Sequence, residues 1–443
     1  NKKNEFHFQP DWYRGIEYPK EQERGYDFNE DLYVPGYFEV DIKKGESIVF
    51  SAGTSEISPR RLKQTFEAEV ADRTPRDSFY HCLKNSAHQY HNQQEGEHYI
   101  LAGYPWFKCR ARDMFISLPG LTLALDEVDQ FEDVMKTAEK AIRSFINDEP
   151  AGYKIYEMEH PDVLLWAVWA LQQYAKETSR EQCRQKYGEL LKDIIEFIRQ
   201  RKHDNLFLHE NGLLYANGTE KAITWMNSTV NGHPVIPRTG YIVEFNALWY
   251  NALKIMARLA EKYENKQLCR KYLEMAEKTK KSFDEKFYNE DKHCLYDVLG
   301  DSKVRPNQLF ALSLSHPIVD NAKIAEQVLN TVENKLLNRY GLQTLSSDED
   351  GYVDVYEGSA YNRDSSYHQG ITWPWLLGLY YDALKNTMII EKNRTKRQEL
   401  EEKITKLVDT TKETFKAEMF ERSSIGTISE IYDSTEPYEE RGA

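Results

Sequence analysis

Four stretches gather the side chains that could do chemistry. In the first, Ala102-Gly103-Tyr104-Pro105-Trp106-Phe107 precedes Arg112-Asp113 and Leu118-Pro119-Gly120-Leu121. An Arg beside an Asp at a helix start can be a local ion pair and cap. The functional reading is a carboxylate gripping two sugar hydroxyls, with Tyr104 and Trp106 as stacking faces. In the second, Thr224-Trp225-Met226-Asn227 leads through Pro237-Arg238 to Glu244-Phe245-Asn246. Glu244 complements a helix dipole, whereas Asn246 inside an apolar helix calls for a buried polar partner. The third runs Arg363-Asp364, Tyr367-His368-Gln369-Gly370 and Thr372-Trp373-Pro374-Trp375. A lone His there is more often a hydrogen-bonded structural residue than a ligand. The fourth is Ser429-Glu430-Ile431-Tyr432-Asp433, where a carboxylate in a short apolar stretch is either a surface residue or a base with a tuned environment.

Other chemistries lack their motifs. There is no GxxxxGK[ST] phosphate loop, HExxH zinc helix, GxSxG elbow or dinucleotide GxGxxG. Five cysteines without CxxC spacing read as free thiols in a reducing compartment rather than a disulfide frame or thiolate metal site. With a net charge of −14 and no long Lys/Arg block, nucleic acid and anionic membrane are poor partners. No apolar run approaches the ~20 residues of a membrane span, and no secretory core follows the first residues. The cytoplasm is the expected location.

The elements that must position these groups fall into two regimes. Residues 1–60 carry short β-prone segments punctuated by Pro35, Gly36, Gly45 and Gly53, and read as the end of a β-rich domain with a linker. From about residue 78, helical periodicity takes over, with candidate helices near 78–93, 110–126, 128–147, 162–177, 181–201, 242–263, 265–287, 306–315, 321–338, 372–387 and 394–417. Apolar helices (163–171, 243–253, 373–384) alternate with amphipathic ones (181–202, 266–287, 394–416), which predicts inner and outer layers of helical hairpins. The long segments 203–241 and 339–371 are rich in Gly, Asn, Asp, Tyr and Trp, as functional loops are.

From about residue 95 to the end, the ordered motifs resemble the amylo-α-1,6-glucosidase region of glycogen debranching enzymes. They read AGYPWF…RD.FI.LPGL, TWM…PR.G..VE.NALWYNAL, RPNQLFALS, YHQG.TWPW and ISEIYD…RGA. Residues 25–55 resemble the end of that family's N-terminal β-domain. The resemblance implies an all-α (α/α)6 toroidal barrel over 61–443, preceded by a short β-rich remnant. It implies inverting hydrolysis of α-1,6-glucosidic bonds in glycogen or branched α-glucan oligosaccharides, with no metal and no organic cofactor. Inversion needs an acid and a base on opposite sides of the anomeric carbon. The family's base matches Glu430, and its acid follows Thr-Trp-Met, where this chain has Asn227. A carboxamide donates no acidic proton at neutral pH. Either this is an inactivating replacement, or another acid serves, or the chain only binds glucan. Glu244 is the first substitute acid, with Asp113 and Asp162 behind it. The substrate-binding set is Tyr104, Trp106, Arg112, Asp113, Asp162, Trp225, Arg238, Asp364, His368, Gln369 and Trp373. The resemblance also expects a further helix beyond Ala443, so the barrel is expected to be truncated there. Glucoamylase-like or trehalase-like activity on the same barrel remains the rival enzyme.

Overall fold

A computed structural model describes residues 5–442 except 24, 56, 104–106, 151, 263–264 and 423–425. The chain forms two compact units, residues 1–81 with 357–363, and residues 82–356 with 364–443. In the first unit, β1 (Glu5–Glu17) pairs antiparallel with β2 (Asn29–Glu39), so the β-rich start is present. Gly36 sits at φ 155° where a Cβ would fall 2.1 Å from the His7 carbonyl oxygen, so this close approach requires glycine. A two-stranded ribbon cannot bury both faces, and Phe8, Tyr13, Tyr33 and Phe38 stay exposed. The helix Leu62–Asp72 is absent from the sequence-based expectation. It buries none of its residues, so no strong apolar stripe announces it.

The second unit is built on α1 (Ala111–Leu121), α2 (Val128–Ile146), α3 (Val163–Glu177), α4 (Arg180–Arg199), α5 (Val243–Lys262), α6 (Lys266–Lys286), α7 (Phe310–Ser313), α8 (Ala322–Lys335), α9 (Leu376–Ile390) and α10 (Arg394–Glu421). Tight links fold α3 on α4, α5 on α6 and α9 on α10. The second helix of each hairpin starts on a side-chain cap: Ser179, Asn265 and Asn393 each accept a backbone N–H of the following turn. The odd-numbered helices α1, α3, α5, α7 and α9 also pack on one another in that order, forming an inner arc.

Burial explains that layering. Val163–Leu171 is buried except for half-buried Trp169, and Val243–Leu253 is buried throughout. The third expected inner segment differs. Gly378, Asp382, Lys385 and Ile389 recur every three to four residues and form an exposed stripe, so α9 is not buried all round. Two of those four residues are charged, a polar stripe easily overlooked beside so many apolar neighbours. The candidate helix 78–93 ends at His88, because His91–Gln94 and Glu97–Ile100 form a hairpin instead. The segment 306–315 shrinks to a 3-10 turn, Pro306–Leu309, followed by the single turn α7.

Two small β pairings bring distant segments together. Cys109–Arg110 lies parallel to Ile155–Tyr156, bringing the start of α1 beside the approach to α3. An antiparallel sheet of two-residue strands runs Leu342–Gln343, Thr372–Trp373, Ile431–Tyr432 and Glu440–Arg441, which places Glu430 next to the Trp373 strand. A Cβ on Gly341 would come 2.4 Å from the Trp373 carbonyl oxygen, so this sheet needs glycine there.

Candidate active site

Several residues singled out by sequence lie at the N-terminal ends of the inner helices. Arg112 and Asp113 open α1, Asp162 precedes α3, Glu244 opens α5 and Trp373 precedes α9; Asn307, just before α7, joins them. Two buried ionic networks tie these ends together. Arg112 donates from Nε and Nη2 to the Asp162 carboxylate at 2.7 and 2.8 Å, and from Nη2 to the Ile223 carbonyl at 3.1 Å. Asp162 also accepts the Trp166 indole N–H at 3.0 Å. Arg112 and Asp162 are each 1% exposed, so this ion pair is held inside the fold.

The second network centres on Arg238. Its guanidinium grips Glu244 through both carboxylate oxygens and donates to Asp297 at 2.9 and 3.1 Å. Asp297 accepts Asn307 Nδ2 at 2.7 Å, and Asn307 Oδ1 accepts the Trp225 indole N–H at 2.7 Å. Glu244, Arg238, Asp297, Asn307 and Trp225 thus form one buried chain that fixes the orientation of the Trp225 ring. With both oxygens engaged and 1% exposure, Glu244 presents no free carboxyl, which argues against it as a substitute acid. The physical reason is geometry: the Arg238 fork occupies both Glu244 oxygens inside the fold, although burial and the neighbouring Asp297 charge raise the Glu244 pKa.

Asn246 finds the partner its burial demands. Its Oδ1 accepts the Leu214 N–H at 2.8 Å, while Nδ2 donates to the Leu214 and Ile242 carbonyls. It therefore pins the strand Leu214–Ala216 against α5.

An aromatic cluster adjoins the networks. Trp225 meets His368, Trp373 and Trp375 edge-on at 5.4, 5.5 and 5.1 Å between ring centres, and His368 stacks on Trp373 at 5.1 Å. His368 is fully buried, and burial, aided by Arg305, holds its pKa well below the usual range, so the ring is neutral. Its Nδ1 lies 3.3 Å from the Ser228 hydroxyl. Gln369 Oε1 accepts Arg305 Nη2 at 2.7 Å. His368 is thus a member of the aromatic cluster, and Gln369 is held by Arg305.

Glu430 is solvent-exposed, yet burial is the main cause raising its pKa above the usual carboxylate range. The Tyr367 hydroxyl donates to Glu430 Oε2 at 2.8 Å, which opposes the rise, while the charge of Asp113 adds to it. Among the described residues, no side chain donates to Oε1. Asp113 is half-buried, and burial raises its pKa against the pull of Arg112 and Arg110. Its carboxylate accepts no hydrogen bond among the described residues, and neither does the half-buried carboxamide of Asn227 take part in one. Asp113, Glu430 and Tyr367 thus lie within electrostatic reach of one another.

Asp364 is exposed on the helix Ala360–Ser366, with no side-chain partner among the described residues. Tyr104 and Trp106 lie outside the described residues. A cavity of about 670 Å³ opens next to the start of α1, lined by Arg110, Phe107, Tyr153, Tyr156 and Glu157 rather than by Glu430 or Asn227. Tyr367, Asp297, Asn307 and Arg305 are site residues that sequence reasoning does not single out. For Tyr367 the only signal is its place beside His368; for Asn307 and Arg305 it is the Arg305-Pro306-Asn307-Gln308 motif. Among the described residues, no group of three His, Cys, Asp or Glu side chains is placed to hold a metal ion. No helix among them is long and apolar enough to cross a membrane.

Known proteins share this architecture. A glycosidase superposes with a TM-score of 0.51 at 11% identity, covering 79% of this chain and 85% of its own. A GH63 mannosylglycerate hydrolase from Thermus thermophilus, in complex with Tris, gives 0.52 at 11% identity, covering 82% of this chain and 96% of its own. A sialidase gives 0.56 at 13% identity over 85% of this chain and 32% of its own. At such identities the likeness concerns the fold alone. In sequence, residues 1–49 match the family described as glycogen debranching enzyme N terminal, and residues 81–443 match the one described as amylo-alpha-1,6-glucosidase. The second match spans most of the chain and every described residue of the site, so the chain belongs to the amylo-alpha-1,6-glucosidase family of glycoside hydrolases.

Proposed function

We propose that this chain is built as an inverting glucosidase for α-1,6-linked glucose stubs on glycogen or limit dextrin. Glu430 acts as general base, and the general-acid position is held by Asn227. The arc of α1, α3, α5, α7 and α9 belongs, in this reading, to a toroidal barrel of hairpins whose inner helices begin at the site. The observation that carries the reading is Glu430 itself. Tyr367 occupies Oε2 and leaves Oε1 for a water, while a raised pKa makes the carboxylate a stronger base once ionised. In the reaction, Glu430 takes a proton from that water as the water oxygen bonds to the anomeric carbon. The glycosidic C–O bond breaks on the opposite face, and the leaving oxygen needs a proton.

Asn227 cannot supply that proton, so proton delivery rather than binding limits the rate. Of the substitutes named from sequence, Glu244 and Asp162 are locked in ion pairs. Asp113 alone keeps a free carboxyl, placed to grip sugar hydroxyls and available as a poor replacement acid. The second reading is a glucan-binding protein with a disabled acid site, and Asn227 is the observation that favours it. Linkage separates this enzyme from its rivals. The Asn227→Asp variant is expected to release glucose from isomaltose-type substrates and limit dextrin, with the β anomer appearing first by NMR. Preference for maltose or trehalose would refute the linkage, and first release of the α anomer would refute inversion.

A further inference from the structure

The opposite ends of α3 and α5 from the candidate active site border a second cavity, of about 400 Å³ and open to solvent. With a rise of ~1.5 Å per residue, the Lys176 end of α3 lies roughly 20 Å from Asp162. Leu171, Leu191 and Ile255 supply apolar wall, and the solvent-exposed Lys176, Arg180 and Arg258 also line the cavity. Among the described residues, no carboxylate lies within ion-pairing distance of these three cations. Asp382 on α9 is the carboxylate whose charge Lys176 feels, and Lys385 beside it offsets that charge.

His316, also on the lining, records how much positive charge converges there. Burial first, then Arg258, Lys254, Arg180 and Lys176, push its pKa down to about 3, so the ring is neutral. The Oγ of Ser315, another lining residue, is buried with no hydrogen-bond partner among the described residues. Cations near the C-terminal ends of helices are ordinary complements to the helix dipole, and that accounts for Lys176 and Arg258. It does not account for Arg180, which opens α4 at the end where a cation is unfavourable, nor for the orphaned hydroxyl or the cavity itself. Lys176 Nζ donates to Gln173 Oε1 at 3.2 Å, but in a chain of net charge −14 three cations without a carboxylate partner around one cavity are a concentrated positive site.

We infer that this cavity binds a phosphate-bearing anion. The Arg180 and Arg258 guanidinium forks take phosphate oxygens, Lys176 adds charge, the Ser315 hydroxyl donates, and the apolar wall leaves room for an organic group. The site is independent of the glucosidase reading, because it shares no residue with the candidate active site.

Calorimetric titration of the full chain at constant ionic strength tests it, with inorganic phosphate and phenyl phosphate as separate probes. Saturable one-to-one binding is expected, weakened about tenfold or more in Arg258→Gln and in Arg180→Gln. An exposed control, Lys406→Gln, should leave the affinity unchanged, and unaltered circular dichroism of each variant shows that the fold is intact. Tighter binding of phenyl phosphate identifies a phosphomonoester as the ligand, and equal binding identifies free phosphate. Absence of saturable binding by both probes, or an affinity unchanged in both Arg variants, overturns the inference.

Discussion

At the scale of single residues, Glu430 is held between opposing influences. Burial and the Asp113 charge raise its pKa, while the Tyr367 hydrogen bond stabilises the carboxylate and lowers it. As the proposed base Glu430 must be ionised to work, so activity is predicted to fall as pH drops through its pKa. Removing the Tyr367 hydroxyl takes away the lowering influence. Tyr367→Phe, studied in a chain that also carries Asn227→Asp, should therefore move the acid limb of the kcat/KM profile to higher pH. Asp113→Asn removes a like charge and should move the same limb to lower pH. Limbs that shift together, or not at all, would mean that Glu430 is not the group titrating. His368 offers a contrast. Buried and neutral, it contributes no ionisation to that profile, so its replacement should change binding rather than the position of either limb.

At the scale of elements, buried polar links hold the helix starts in place. Arg238→Met would leave Glu244 and Asp297 buried without their cation, at a cost of roughly 3–5 kcal/mol. Urea unfolding should show that loss as a lower midpoint. Asn246→Ala would strand the Leu214 N–H and carbonyl, costing roughly 2–4 kcal/mol by the same measurement. A loss below about 1 kcal/mol for either variant would show that water replaces the lost partners. Asn246 also shows what sequence can reveal. A carboxamide within a helix buried all round demands a partner, although nothing in its own segment names Leu214. The pairing of apolar with amphipathic helices is legible for the same reason, since period and composition are local properties. The role of Glu244 is not. Nothing in its segment shows that it pairs with Arg238, which also holds Asp297, 53 positions along the chain from Glu244, in a loop with no helical period. The weakly striped helix Leu62–Asp72 and the open face of α9 escape a sequence reading because exposure on one face depends on what packs against it.

At the scale of the molecule, binding and chemistry fall to separable parts. In the proposed reaction the aromatic cluster and the two ionic networks order the surroundings of the substrate, whereas Glu430 and position 227 are the proton-transfer positions. The isosteric carboxamide of Asn227 preserves shape and removes only the donor, so glucan affinity and hydrolysis should come apart. The most direct test compares glucose release from limit dextrin by the chain as it stands, by Asn227→Asp, and by Asn227→Asp combined with Glu430→Gln, with glucan affinity measured alongside. Asn227→Asp is predicted to raise the rate by a factor on the order of 10²–10⁴. Adding Glu430→Gln should abolish that gain while affinity stays nearly constant. An unchanged rate in Asn227→Asp, in a chain that still binds glucan, would contradict the assignment of the acid position.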